Sequence, residues 1–233
     1  MIKSRWVGST LVYYDDYDYR FVKAVGPDVR EWEMRFGSDF TTACEYTVTY
    51  VDIGAGTTVI AQGTTAGQRA LITNAANEND STNLQVVGTP FQLAVGHPLY
   101  FGAKIAISDA TQSDLFVGLG NTDTTLMAAH ALNLSSDGIY FYKVDGGTVA
   151  VAGALKAAAA SSVNSATAVT TSSMLYEIYY DGVGTVTYYH DGVEVTSMSA
   201  GFPTAVLTPS LFYANGAAAA KTATVEWMRC IQL

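Results

Sequence analysis

From about residue 45 onward the chain alternates between apolar and polar positions in short runs, broken by stretches rich in Gly, Asn and Asp. A period of two puts one face of a segment in a core and the other toward water, as in a half-buried β-strand. The run from Leu99 to Ile107 shows this most plainly. Leu99, Phe101, Ala103, Ile105 and Ile107 share one face, with Tyr100, Gly102, Lys104 and Ala106 opposite. The same reading predicts strands near 45–51, 57–62, 68–73, 82–87, 91–95, 99–107 and 114–119. Further strands fall near 138–144, 148–155, 174–181, 184–190, 192–197, 207–214 and 222–232. Thr10 to Tyr14 reads as one more, with Asp15 to Asp18 as its polar exit.

The segment Met174 to Thr196 is a meander in outline. Asp181-Gly182 and Asp191-Gly192 supply the positive-φ residues that tight hairpins need, and the residues between are mostly Tyr, Val and Thr. Tyr176, Ile178 and Tyr180 fall on one face of its first strand, Leu175, Glu177 and Tyr179 on the other. Asp123 to His130 reads as a short helix, capped by Asp123 or Thr124. Residues 153–173 are low in complexity, and Val, Thr and Ser among the alanines favour a pair of small-residue strands, or a strand and a loop. Many short strands without a 20–50-residue repeat predict an all-β antiparallel sandwich. Leu99, Phe101, Ile105, Leu115, Val117, Tyr140, Ile178 and Val186 are expected in its core.

Composition narrows the function. Charged residues make up 14% of the chain, against ~25% in an ordinary globular domain. The net charge is −9, and half of the basic residues (Lys3, Arg5, Arg20, Lys23, Arg30, Arg35) lie in the first 35 positions, balanced there by acids. The remainder is acidic, which argues against a phosphate-tracking groove and so against nucleic acid. No stretch approaches the ~20 apolar residues of a membrane helix, and the start of the chain lacks the pattern of an export signal. Cys44 and Cys230 are read as buried reduced thiols, although spacing leaves open whether they meet.

Candidate chemistry is sparse. Retaining glycosidases need two carboxyl groups ~5–5.5 Å apart, which alternate residues on a strand provide. Glu31 and Glu33 are the single pair of glutamates at that spacing, in a segment with Arg30 and Arg35 that reads as solvated or ion-paired. No enzymatic activity is therefore expected. His97, His130 and His190 show no zinc-ligand spacing, and no Gly-x-Ser-x-Gly elbow is present. Asp109, Asp114 and Asp123 would suit Ca²⁺ if their loops met; polar turns explain them more simply. No cofactor is expected. An aromatic platform for sugar among the 15 Tyr is not locatable by sequence.

Three segments carry a resemblance: LYFGAKIAISDATQSDLFVGLGNTDTT, DGIYFYKVDGG and MLYEIYYDGVGTVTYYHDGVEV. Together with the opening RWVGSTLVYYD, they resemble the concanavalin A-like jelly-roll domains of tailed-bacteriophage virion proteins. The resemblance covers roughly residues 1–20 and 90–233. It implies a jelly-roll sandwich over 41–233 with an N-terminal arm or extra strand in 1–40. It also implies a structural role, decorating or cementing the exterior of a capsid after synthesis in the host cytoplasm. The implied partners are the major capsid protein and further copies of the chain, a trimer being favoured. The alternative is a carbohydrate-binding adhesin module on the virion, with surface glycans as ligands. Nine aromatics lie in the first forty residues; interfaces concentrate energy in Tyr, Trp and Arg, so Arg5, Trp6, Tyr13 and Tyr14 are the expected docking residues.

Overall fold

A computed structural model describes residues 2–15, 20–34, 46–64, 66–67, 70–88 and 90–233. Among them the regular structure is all β, and every strand pairing is antiparallel. β1 (Ile2–Val7), β2 (Thr10–Asp15) and β3 (Phe21–Val25) form a small sheet of their own. β4 (Arg30–Glu33), β5 (Tyr46–Val51), β6 (Val59–Gln62), β7 (Ala70–Thr73), β8 (Ser81–Val86) and β9 (Phe91–Gln92) follow. The long central strands are β10 (Leu99–Ile107) and β11 (Ser113–Gly120), and β12 (Met127–Ala128) and β13 (Ala131–Leu132) make a minor hairpin. Next come β14 (Gly138–Lys143), β15 (Val149–Lys156), β16 (Ala159–Ala168) and β17 (Met174–Tyr180). β18 (Val186–His190), β19 (Val193–Met198), β20 (Val206–Asn215) and β21 (Thr222–Gln232) complete the chain.

Two large sheets face each other. The first runs β19-β18-β17-β10-β21-β7-β6, and β4 pairs with β21 beyond the end of β7. The second runs β16-β15-β14-β11-β20-β8-β5, with β9 on β20. This is the sandwich that the alternation predicts. The core between the sheets takes Leu99, Phe101, Ile105, Leu115, Val117, Ile178 and Val186, all buried. Tyr140 is also buried, but on the other side of the second sheet, because its neighbour Phe141 takes the core side and strand residues alternate. Residues 153–173 hold the end of β15 and all of β16, a hairpin turned at Ala157 and Ala158 with φ of 48° and 63°.

Both large sheets carry a second layer on their outer faces. On the second sheet, Phe116, Tyr140 and Phe212 are covered by Leu126, Met127 and Leu134 from the segment between β11 and β14. The helix expected at 123–130 does not form there. Asp123 does accept a capping bond from the Thr125 N–H, but it also holds the Ser135 N–H. Asn83 and Gln85 fix the backbone at 121–123. The chain then turns back at Ala129 and His130, both left-handed. Tertiary hydrogen bonds and the apolar face beneath outweigh a weak local propensity.

On the first sheet, the small N-terminal sheet lies over Tyr100, Tyr179 and Ile231 and buries Val12, Phe21 and Ala24 against them. The Phe21 ring meets Tyr179 edge-on at 5.7 Å. Residues 30–33, inside the segment expected as an arm, run as a strand of the first large sheet, and Trp32 packs on the main core.

Candidate functional site: a shelf on the first sheet

Strand register sets out what the first sheet shows on its outer side. Tyr100 lies opposite Tyr179 on β17 and Ile231 on β21; this row is under the N-terminal sheet. One row further, Gly102 stands between Glu177 and Arg229, and Arg229 in turn opposes Glu33 of β4. The next row places Lys104 between Leu175 and Trp227. The N-terminal sheet therefore covers the Tyr100 row, and beyond it, among the described residues, lies a shelf built on the half-buried Lys104, Glu226, Trp227 and Arg229.

A bulge creates this arrangement. Lys104 pairs with Trp227 and Ile105 with Val225, so Glu226 is an extra residue on β21. The inserted residue shifts the alternation by one, turning Trp227 outward while Met228 stays in the core. Glu226 meets Lys104 at 2.6 Å, and the partly exposed pair flanks the indole. That hydrogen bond and charge outweigh burial and hold the Glu226 carboxyl below its ordinary value. Gly102 makes the floor. A Cβ there would stand 2.9 Å from the Trp227 ring and 2.5 Å from the Tyr100 hydroxyl, so only glycine lets the indole lie across the strand.

The wall of the shelf is polar and buried. Arg20, 6% exposed, reaches down from the N-terminal segment to Glu177, 3% exposed, at 3.1 Å. The Tyr100 hydroxyl donates to the other Glu177 oxygen at 2.8 Å. Burial, and then the Glu177 charge, push the Tyr100 phenol far above its ordinary value, so it serves as a donor at all physiological pH. Arg20 also stacks over Tyr189 at 4.0 Å. Arg229 sits between two rings, 5.0 Å from Trp227 and 5.5 Å from Tyr100. Its Nε is buried without a hydrogen-bond partner, and no carboxylate of the described residues lies within ion-pair distance of its guanidinium.

Concave places among the described residues lie elsewhere. One, of about 310 Å³, is lined by Asp28, Arg30, Gln92, His97 and Gln232, whose polar groups mostly hold one another or the backbone. Another, of about 170 Å³, lies beside the β12–β13 hairpin. There His130 Nδ1 is 2.8 Å from Asp114 and Nε2 is 3.1 Å from Glu78. Burial opposes a charged imidazole, but Asp114, Glu78 and Asp145 together raise His130 above its ordinary value. Burial raises Asp114 too, only partly offset by His130 and the Asp145 N–H. The two groups titrate as a unit, and the upward direction for His130 follows from the charges around it.

The expected docking residues divide between two faces of the small sheet. Arg5 lies over the Tyr14 ring at 5.3 Å, and Tyr14 packs toward the first large sheet. Trp6, paired with Leu11, is 69% exposed on the opposite side, and Tyr13 shares that side. Asp109, Asp114 and Asp123 are not brought together. Asp109 holds Lys221 and two backbone N–H groups, which lower it to about 2. No group of three or more His, Cys, Asp or Glu suited to a metal occurs among the described residues. Cys230 is buried and free, its thiol pushed up by burial, while Cys44 lies outside the described residues. Glu31 and Glu33 do share the outward side of β4, Glu31 exposed and Glu33 half-buried. His97 bonds the Leu233 carbonyl at 2.9 Å, and His190 faces the Tyr176 ring at 5.2 Å.

No protein-family model and no curated protein matches the sequence. Solved structures do. A Bacillus licheniformis β-glucanase superposes with a TM-score of 0.60 at 12% identity, over 85% of this chain and 96% of its own. A protein of unknown function from Shewanella oneidensis MR-1 gives 0.57 at 14% identity, over 88% and 86%. The carbohydrate recognition domain of Emp46p gives 0.54 at 9%, over 80% and 87%. At these identities the likeness concerns architecture. The chain is an antiparallel jelly-roll sandwich with the concanavalin A-like fold of lectins and glucanases.

Proposed function

We propose that this chain is a non-catalytic glycan-binding module, with Trp227 as the platform against which a sugar ring lies. The observation that carries this is the half-buried, outward indole over Gly102, framed by Lys104, Glu226 and Arg229. Sugar rings pair an apolar face with a rim of hydroxyls. A flat aromatic surface ringed by charged donors and acceptors meets both. Support comes also from the fold, since the solved structures it resembles include a carbohydrate recognition domain and a glucanase.

Binding without turnover is favoured by the carboxylates near the shelf. Glu177 is neutralised by Arg20 and capped by Tyr100, and Glu226 by Lys104. Glu31 stands exposed on β4. Glycoside hydrolysis needs a protonated and an ionised carboxyl flanking one bond. The decoration of a tailed-phage capsid rests on the sequence resemblance alone. A virion would be one carrier of such a module.

Glycan-array binding and calorimetry test the proposal. The intact protein is expected to bind a subset of glycans, Trp227→Ala to lose them while keeping its far-UV dichroism, and reducing-end assays to show no hydrolysis. Failure of the folded protein to bind any glycan would remove the reading. Turnover abolished by Glu31→Gln or Glu33→Gln would make the protein an enzyme instead.

A further inference from the structure

We infer that the glycan taken by this shelf carries an anionic group, a carboxylate or a sulfate, and that Arg229 is its counter-charge. The inference rests on the glycan-binding reading of the same site.

The two other cations beside the indole are each matched by an acid. Arg20 is spent on Glu177 and Lys104 on Glu226. Arg229 alone of the three cations has neither a hydrogen bond nor an ion pair among the described residues. Its guanidinium instead lies over the Trp227 and Tyr100 rings, which limits the freedom lost when a ligand binds. A planar fork of N–H donors presented beside a stacking surface matches a carboxylate or sulfate, which accepts two parallel bonds. A sugar ring resting on Trp227 would carry such a substituent toward Arg229, because the two residues lie on the same side of β21, two positions apart. Neutral hydroxyls would leave the guanidinium's charge unanswered.

One acid competes. Glu33 opposes Arg229 in the β4–β21 register yet forms no ion pair with it. With the whole chain at −9, long-range repulsion also works against an anionic ligand. Recognition must therefore be local, and removing Glu33 should strengthen it.

The experiment is an array of neutral, uronate-containing, sialylated and sulfated glycans, followed by calorimetry on each acidic hit and its carboxyl-reduced or desulfated counterpart. Acidic glycans are expected to bind and their neutralised counterparts to bind at least about tenfold more weakly, a difference of about 1.4 kcal/mol. Arg229→Gln should lose that preference, Arg229→Lys should keep part of it, and Glu33→Gln should gain affinity several-fold. Raising salt from about 50 mM to about 500 mM should weaken binding by the wild type and not by Arg229→Gln. Equal binding of acidic glycans and their neutralised counterparts, lost in Trp227→Ala, overturns this inference and leaves the glycan-binding reading standing. An acidic preference that survives Arg229→Gln in a folded protein overturns the assignment to Arg229. Binding of no glycan at all removes both.

Discussion

Replacing Arg20 by Met tests whether the N-terminal sheet is clamped to the sandwich by a buried ion pair. Met keeps most of the stem's volume, so packing against Tyr189 changes little while the charge disappears. Glu177, 3% exposed, then keeps the Tyr100 hydroxyl as its hydrogen-bond partner but loses its cation. Removing one partner of such a pair costs about 3–5 kcal/mol, because the other charge stays buried. For a chain of this length each kcal/mol moves the midpoint by about 2–4 °C, so thermal denaturation should shift down by roughly 10 °C. The double variant Arg20→Met, Glu177→Leu should recover most of that loss. It leaves the Tyr100 hydroxyl without its Glu177 acceptor, at about 1–3 kcal/mol. Urea denaturation of the four proteins in this cycle gives the coupling directly. A single-variant loss under about 1 kcal/mol with no coupling would mean that the pair is solvated, and the clamp would be refuted.

Gly102→Ala should displace both the Trp227 ring and the Tyr100 hydroxyl; tryptophan fluorescence should change, and glycan affinity should fall about as far as in Trp227→Ala. His130 has a folded value raised above about 6.5, so its contribution is complete below that pH and is lost as pH rises through the raised value. Urea midpoints of wild type and His130→Gln should therefore differ more at pH 5.5 than at pH 8.5, and a constant difference would contradict the sign. Lys143, 1% exposed, donates to the carbonyls of Thr111, Ser113 and Val144. Lys143→Met should cost about 1–3 kcal/mol in denaturant titration, since it leaves those acceptors unmatched.

Much of the sandwich was legible because period-two alternation survives in nearly every strand that faces the inter-sheet core. The bulge on β21 was visible too, had its phase been followed. Ala223 and Val225 lead the alternation, and then Met228 and Cys230 resume it one position out of step. That slip is the signal that would have singled out Trp227, which a search for loop aromatics passes over. The outer layers were not legible. Asp123 to His130 carried helix-like local signals, but Asn83 and Gln85, some forty positions upstream, decide its path. Arg20 and Glu177 are 157 positions apart, and neither sits in a motif. An aromatic-rich N-terminus reads equally well as an interface to another protein or to the chain's own sheet. The structure shows a small sheet that uses one face inward through Val12 and Phe21 and leaves Trp6 in solvent.

The lid of Leu126, Met127 and Leu134 over the second sheet has a geometric consequence. A jelly roll has two broad sides, and among the described residues one carries this lid while the other carries the small N-terminal sheet with the Trp227 ledge beside it. The molecule is thus directional. It can lie with its lidded side against a support, or against a neighbouring molecule, without obscuring the ledge, whereas the reverse orientation would bury the ledge. Any assembly that displays many copies need control only one rotation, which side faces out, for every copy to present the same surface.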